Sequence, residues 1–290
     1  MTAEKSLLLP NAKSTARHIV GVCPLRFVIA AAAILLTSVP LLAADLVPVP
    51  VPSPKPKPKP TIESSGPSFA VTGYLWASAL NGRSSTLPPL PATDIDLSFG
   101  DILKNMNGAM MGAAEMRLGR WGFVTDAMFS QVTAGGALPG PYFSSAKVRS
   151  QTLTLQASVL YRLYADERFD LDVGAGFRFW NLDNRLTIQP GSLNLQINHS
   201  ESENWFDPVI SARMITRLGG PWSVTLAGDI GGFDAGARLT WQALGTVNYQ
   251  WNDNWRFQAG YRALYVDYRK GDFFYDTTMH GPIIAATYRF

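Results

Sequence analysis

The chain has 290 residues, only 16% of them charged, with 25 Gly, 8 Trp and a formal net charge of +3. The basic excess lies wholly in residues 1–44, where Lys5, Lys13, Arg17 and Arg26 face Glu4 alone, so the balanced remainder offers no electrostatic footprint for nucleic acid. The one cysteine, Cys23, lies in the same segment and precedes its apolar run, which excludes a disulfide in the rest of the chain and argues against lipid attachment.

That apolar run, residues 27–42, is bounded by Arg26 and by Ala43-Ala44. It is short for a membrane helix, which needs ~20 residues. Basic flank, apolar core and small-residue exit predict a secretory signal peptide over 1–44, with export through the Sec pathway; the alternative is an uncleaved inner-membrane anchor. Residues 45–67 read as a proline-rich periplasmic linker. Proline stands at every second position through 46–60, which forbids helix and ladder and favours polyproline II, spanning on the order of 45 Å. The segment is either a stiff spacer or a docking arm, with Lys55, Lys57 and Lys59 offered to peptidoglycan or a periplasmic protein.

From Ser68 the chain alternates with period two. Leu153, Leu155, Ala157, Val159, Tyr161 and Leu163 fall on one face, with Thr152, Thr154, Gln156, Ser158 and Arg162 on the other. The same holds for Phe169–Phe179 and Trp241–Trp251. Four tight connections each lead into an aromatic: Gly119-Arg120 before Trp121, 165–168 before Phe169, 219–221 before Trp222, and 252–254 before Trp255. Longer polar stretches, 81–107, 134–147, 189–204, 232–237 and 270–273, alternate with them. Short turns on one side and long loops on the other predict an all-β fold, a transmembrane antiparallel up-and-down β-barrel over 68–290. The expected strands are 69–80, 109–118, 122–132, 148–164, 169–187, 205–218, 222–231, 238–251, 255–269 and 274–290, about ten in number, with eight or twelve as alternatives. Trp121, Phe169, Trp222, Trp251, Trp255, Tyr288 and Phe290 are expected at the membrane interface.

The inward parity collects charges of both signs: Glu115, Arg117, Asp126, Arg162, Asp170, Asp172, Arg178, Asp207, Arg213, Arg217, Asp229, Arg256 and Arg262. Two readings stay open. Either these groups pair and fill a narrow lumen, a reading favoured by the use of Arg rather than Lys, or they line a water-filled path. In the first loop, Ser98 with Asp101 three residues on suggests a helix cap, and Phe99, Ile102, Leu103 and Met106 would form one face of a short helix. The loop either packs on the rim or acts as a lid or plug.

No nucleophile elbow and no metal spacing occurs, so no catalytic residue, metal or cofactor is expected. His280 with Asp276 is the remaining loop-end pair a hydrolase could use. The alternative to a structural or porin-like barrel is a surface protein whose loops bind a partner.

The stretches Ser98-Phe-Gly-Asp-Ile-Leu, Trp241-Gln-Ala-Leu, Gly260-Tyr-Arg-Ala-Leu-Tyr-Val-Asp-Tyr and Gly281-Pro-Ile-Ile-Ala-Ala-Thr-Tyr-Arg-Phe together resemble a group of small outer-membrane β-barrel proteins of Gram-negative bacteria. They are similar, more distantly, to the OmpA and OmpW types. The resemblance covers 69–290 and implies fold and an outer-membrane location. It also implies contact with lipid and lipopolysaccharide, and recognition of the last strand by the barrel-assembly machinery. It carries over no catalytic residue.

Overall fold

The computed structural model describes residues 66–88, 91–192 and 194–290; the expected signal peptide and the proline segment lie outside the described residues. Twelve strands and one short helix follow in order: β1 (Ser68–Trp76), β2 (Ala79–Ser85), β3 (Thr93–Leu97), α1 (Phe99–Asn105), β4 (Met106–Leu118), β5 (Trp121–Ala137), β6 (Phe143–Ala165), β7 (Phe169–Pro190), β8 (Ile197–Gly219), β9 (Trp222–Gly232), β10 (Leu239–Gln250), β11 (Trp255–Lys270) and β12 (Phe273–Arg289). The ladder runs from β1 to β4, through β12 in chain order, and back to β1. β1 meets β12 from Ala70 opposite Arg289 to Trp76 opposite Ile283, antiparallel. Ten strands therefore close a barrel, and closure satisfies the backbone groups that an open edge would leave bare.

β2 carries β1 onward along β12, from Ala79 opposite His280 to Ser85 opposite Phe274. The break between them, at Ala77 and Ser78, faces Gly281 and Pro282. Pro282 has no N–H for the ladder, and a Cβ on Gly281 would sit 2.0 Å from the Ala77 carbonyl oxygen. Ala77 N–H donates to the Pro282 carbonyl at 2.9 Å, and the Trp76 indole N–H donates to that of Gly281 at 3.2 Å. The expected first loop over 81–107 is thus mostly regular structure: the upper part of β2, then β3 paired on it, then α1. Ser98 caps α1 in a reciprocal box with Asp101. The hydroxyl and backbone N–H of Ser98 hold the Asp101 carboxyl below its usual range. α1 has no buried residue, whereas a helix plugging the lumen would bury one face.

Strands β6, β7 and β8 run 23, 22 and 23 residues, far longer than the ~9–11 needed to cross a bilayer. The expected loops 134–147 and 189–204 shrink accordingly, because the ladder continues above the apolar belt, where both faces meet water and alternation no longer marks it. β9 and β10 have only 11 and 12 residues, so the wall is tall on one side and low on the other.

The short turns gather at the opposite end. Gly119 takes φ 56° and Gly220 φ 56°, a conformation that glycine adopts without a Cβ clash. In the β6–β7 turn, Asp166 accepts from the N–H groups of Arg168 and Phe169 at 2.7 and 2.6 Å, which hold its carboxyl below the usual range. Around this end aromatic rings meet across strands, Trp121 on Tyr161, Trp222 on Tyr249 and Trp255 on Tyr288, and along β12, Tyr288 on Phe290, all at 4.9–5.0 Å between centroids. Trp251 packs on Phe257 and Phe169 on Tyr164. Outward positions such as Leu75, Phe177, Phe206, Ile210, Leu226 and Ile284 are exposed. An apolar face of this extent has no place in water and matches a hydrocarbon layer. Among the described residues no helix is long and apolar enough to cross a membrane.

Candidate functional site: the lumen

Inward side chains form three layers. The lowest, at the short-turn end, is built around Asp172, which is 0% exposed. The period-two face of β7 turns this carboxylate inward, opposite Arg162 on β6 and Arg213 on β8. It accepts from Arg117, Arg162 and Arg213 at 2.8, 2.8 and 2.9 Å. Glu115 accepts from both terminal nitrogens of Arg213 at 2.8 Å and from Arg117 at 3.0 Å. Asp170 pairs with Arg217 at 2.7 Å and with Arg162 at 3.2 Å.

Above lies a balanced middle layer. Arg178 pairs with Asp229 at 2.7 Å and donates to Gln156 and Thr240. Arg262 donates to the Tyr74 hydroxyl at 2.8 Å, to Asp126 at 3.1 Å and to Gln242 at 2.7 Å. Its guanidinium carbon stands 4.9 Å from the centre of the Trp76 ring. A low-dielectric interior makes such charge-assisted bonds strong and their loss costly.

The upper layer is aromatic. Trp180 stacks on Trp205 at 5.7 Å, and Trp205 stacks on Tyr268 at 3.9 Å, nearly parallel. Leu182, Leu264, Val266, Phe273, Tyr275 and Met279 complete this buried cluster. Trp205 and Tyr268 also span the low part of the wall. Above the β9–β10 turn, the residues of β8 before Val209 have no strand on that side. Side chains bridge them to β11 instead: the Trp205–Tyr268 stack and a Lys270–Glu203 pair at 2.9 Å.

Two inward charges stand apart from the network expected for them. Asp207 lies opposite Arg178 in register, yet it accepts from neutral donors, Ala237 N–H at 2.6 Å and the Trp205 indole at 3.0 Å. It fastens the β9–β10 turn to β8, a local backbone demand that parity does not disclose. Arg256 lines the lower cavity with its Nε buried and without a partner. The aromatic layer, which the inward charges alone do not reveal, follows the same parity, since Trp180 is even-numbered like Asp172 and Arg178.

The His280–Asp276 pair that a hydrolase could use is not formed. Both side chains are on the outer face of β12, where Asp276 accepts from the Tyr265 hydroxyl at 3.0 Å. His280 Nε2 lies 2.9 Å from the Asn81 side-chain oxygen, and its Nδ1 lies 2.7 Å from the Tyr261 hydroxyl. The β2 extension, which brings Asn81 beside His280, accounts for the different partner. His199 meets the Pro88 carbonyl at 2.6 Å, near the upper mouth.

Beneath the aromatic layer is a cavity of about 660 Å³, lined by the lower charges and by Tyr74, Asp126, Asp229 and Arg262 of the middle layer. It reaches Ser68, Gly220 and Pro221 at the short-turn end, whereas Trp76, Trp180 and Trp205 do not line it.

No family model matches the chain, and no curated protein matches it. Among solved structures it is similar to the outer membrane protease OmpT from Escherichia coli, at 9% identity over 79% of this chain and 100% of that one, with a TM-score of 0.47. It is similar to Neisserial surface protein A at 13% identity over 78% and 100%, with a TM-score of 0.33. Ail, the attachment invasion locus protein of Yersinia pestis, gives 14% identity over 78% and 99%, with a TM-score of 0.30. A closed, even-stranded antiparallel barrel with an apolar outer belt, an aromatic girdle and short turns at one end is the architecture of Gram-negative outer-membrane barrels, and this chain has it.

Proposed function

We propose that the protein is an integral outer-membrane barrel, exported through Sec, that does not conduct. The observation that carries this reading is the middle layer, where Arg178–Asp229 and Arg262–Asp126 meet side chain to side chain under the Trp180–Trp205–Tyr268 stack. Ten strands lie near the narrow end of barrel sizes, where side chains fill the interior. In this reading the belt faces lipid and lipopolysaccharide, β12 is the strand offered to the assembly machinery, and residues 46–60 reach for peptidoglycan or a periplasmic protein. The test is current across a planar bilayer holding the refolded full-length chain. Wild type is expected to stay silent, and Arg262→Ala combined with Trp205→Ala to pass current. Steady current through wild type defeats the proposal.

A second reading, binding at the outer surface, is favoured by one observation. The projecting parts of β6, β7 and β8 carry polar outward residues, among them Lys147, Arg149, Asp183, Arg185, Ser200 and Ser202. That is a water-facing sheet well beyond what anchoring needs.

A further inference from the structure

The middle layer is charge-balanced, two arginines against two carboxylates. The lower cavity is not. Asp126, Asp229 and Arg262 of the middle layer also line it and are paired there; the other charges on its wall are Arg117, Arg162, Arg213, Arg217, Arg256, Arg289, Glu115 and Asp170, with Asp172 bonded behind them to Arg117, Arg162 and Arg213. Four of these arginines are bonded to Glu115, Asp170 and Asp172. The side chains of Arg256 and Arg289 have no hydrogen bond or ion pair among the described residues.

The two are neighbours. Arg256 on β11 is opposite Thr287 on β12, and Arg289 stands two residues further along β12 on the same inward face. Beside them Thr287 shares a hydrogen with Thr72 at 2.7 Å and accepts from Gln258 at 2.6 Å; the charged groups near Arg256 are Arg289, Arg213 and Glu115, of which the last two are already bonded to each other. Arg256 is half-buried and Arg289 exposed; two like charges beside each other repel, and the buried guanidinium Nε of Arg256 without an acceptor is costly. An anion between them removes both penalties. The fork of Arg is shaped for two oxygens of a carboxylate or phosphate.

We propose that this cavity is a binding site for a small oxyanion, a phosphate or a compact carboxylate, entering from the short-turn end and held by Arg256 and Arg289 with Arg213 at its back. The site goes beyond the non-conducting reading and does not depend on it. A barrel that conducts can still bind, and a silent one can fail to.

The test is titration of the refolded full-length chain in detergent with inorganic phosphate, at ionic strength fixed with sodium chloride so that screening stays constant. Heat of binding and the thermal unfolding midpoint are both read. Wild type is expected to bind saturably and to unfold at a higher temperature with phosphate. Arg256→Gln with Arg289→Gln is expected to bind at least tenfold more weakly, yet without phosphate to unfold no lower than wild type, because it loses a repulsion and no ion pair. Arg83→Gln, on the exposed β2 hairpin, serves as a control that keeps wild-type binding. Absence of saturable binding by wild type overturns the site. So does equal binding by the double variant, or a loss of stability by it in phosphate-free solution, which would mark the two arginines as structural. Arg256→Lys keeps the charge and is expected to retain folding and weakened binding; full binding by this variant overturns the role given to the fork.

Discussion

Removing the charge of Asp172 is expected to weaken the barrel more than any other single charge change in the lumen. Its carboxylate is 0% exposed, and the three arginines it serves are only 16–18% exposed. Asp172→Asn keeps the shape and one acceptor but leaves three cations facing one another. Charge-assisted hydrogen bonds contribute roughly 1.5–3 kcal/mol each, and breaking a buried pair by removing one partner costs about 3–5 kcal/mol. Cavity water reaches the guanidinium groups from below, and Glu115 still holds Arg213 and Arg117, so the low end applies, about 3 kcal/mol. That is roughly a 150-fold change in the unfolding equilibrium. The assay is urea unfolding of the refolded chain in detergent, followed by tryptophan fluorescence and by the mobility difference between folded and unfolded barrel. A shift below about 0.5 kcal/mol, the scatter of an ordinary surface change, refutes the view that Asp172 organises the lower layer. Asp170→Asn is the internal comparison. Its partner Arg217 is 46% exposed and can be rehydrated, so the loss is expected to be smaller.

Two further outcomes follow from the placement of side chains. In single-tryptophan variants, Trp121, Trp222, Trp251 and Trp255, which face outward at the girdle, are expected to be quenched by lipid brominated near the headgroup; Trp76, Trp180 and Trp205, buried inside, are not. The reverse pattern would invert the barrel's faces. In the β6–β7 turn, the Asp166 carboxyl is held below its usual range by two backbone donors, so its contribution is present above the unfolded-state value of about 3.9 and is lost as pH falls through the lower folded value. Asp166→Asn is therefore expected to melt earlier than wild type at neutral pH. The two melting curves are expected to converge in acid, and a gap that persists there contradicts the assignment.

The residues that told most in the sequence were those whose two faces meet different solvents. Across β7, Phe169 to Phe179 alternates with Asp170, Asp172 and Arg178, and the structure places the two sets on opposite faces. The signal failed where the solvent became the same on both sides. The upper reaches of β6 and β8, around Phe143–Lys147 and Ile197–Asn204, extend into water, so their composition reads as loop although their backbone is still paired. The expected strand 69–80 runs across a break that the structure places between β1 and β2, and stops before the end of β2 at Ser85. The break at Ala77 and Ser78 is imposed by Gly281 and Pro282, two hundred residues away in sequence, and no local pattern announces a neighbour that cannot donate.

The site divides along the same line. Parity assigned an inward face to each charge, but pairing depends on height, and height depends on register. Arg178 is opposite Asp207 in the ladder, yet its salt bridge is to Asp229 on β9, across β8, because Asp207 is already committed to Ala237 and Trp205. A count of inward charges therefore fixes the total and leaves the distribution open. It is the distribution, with Arg178–Asp229 and Arg262–Asp126 paired in the middle of the barrel and more arginines than carboxylates on the cavity wall below, that a count of inward charges leaves out.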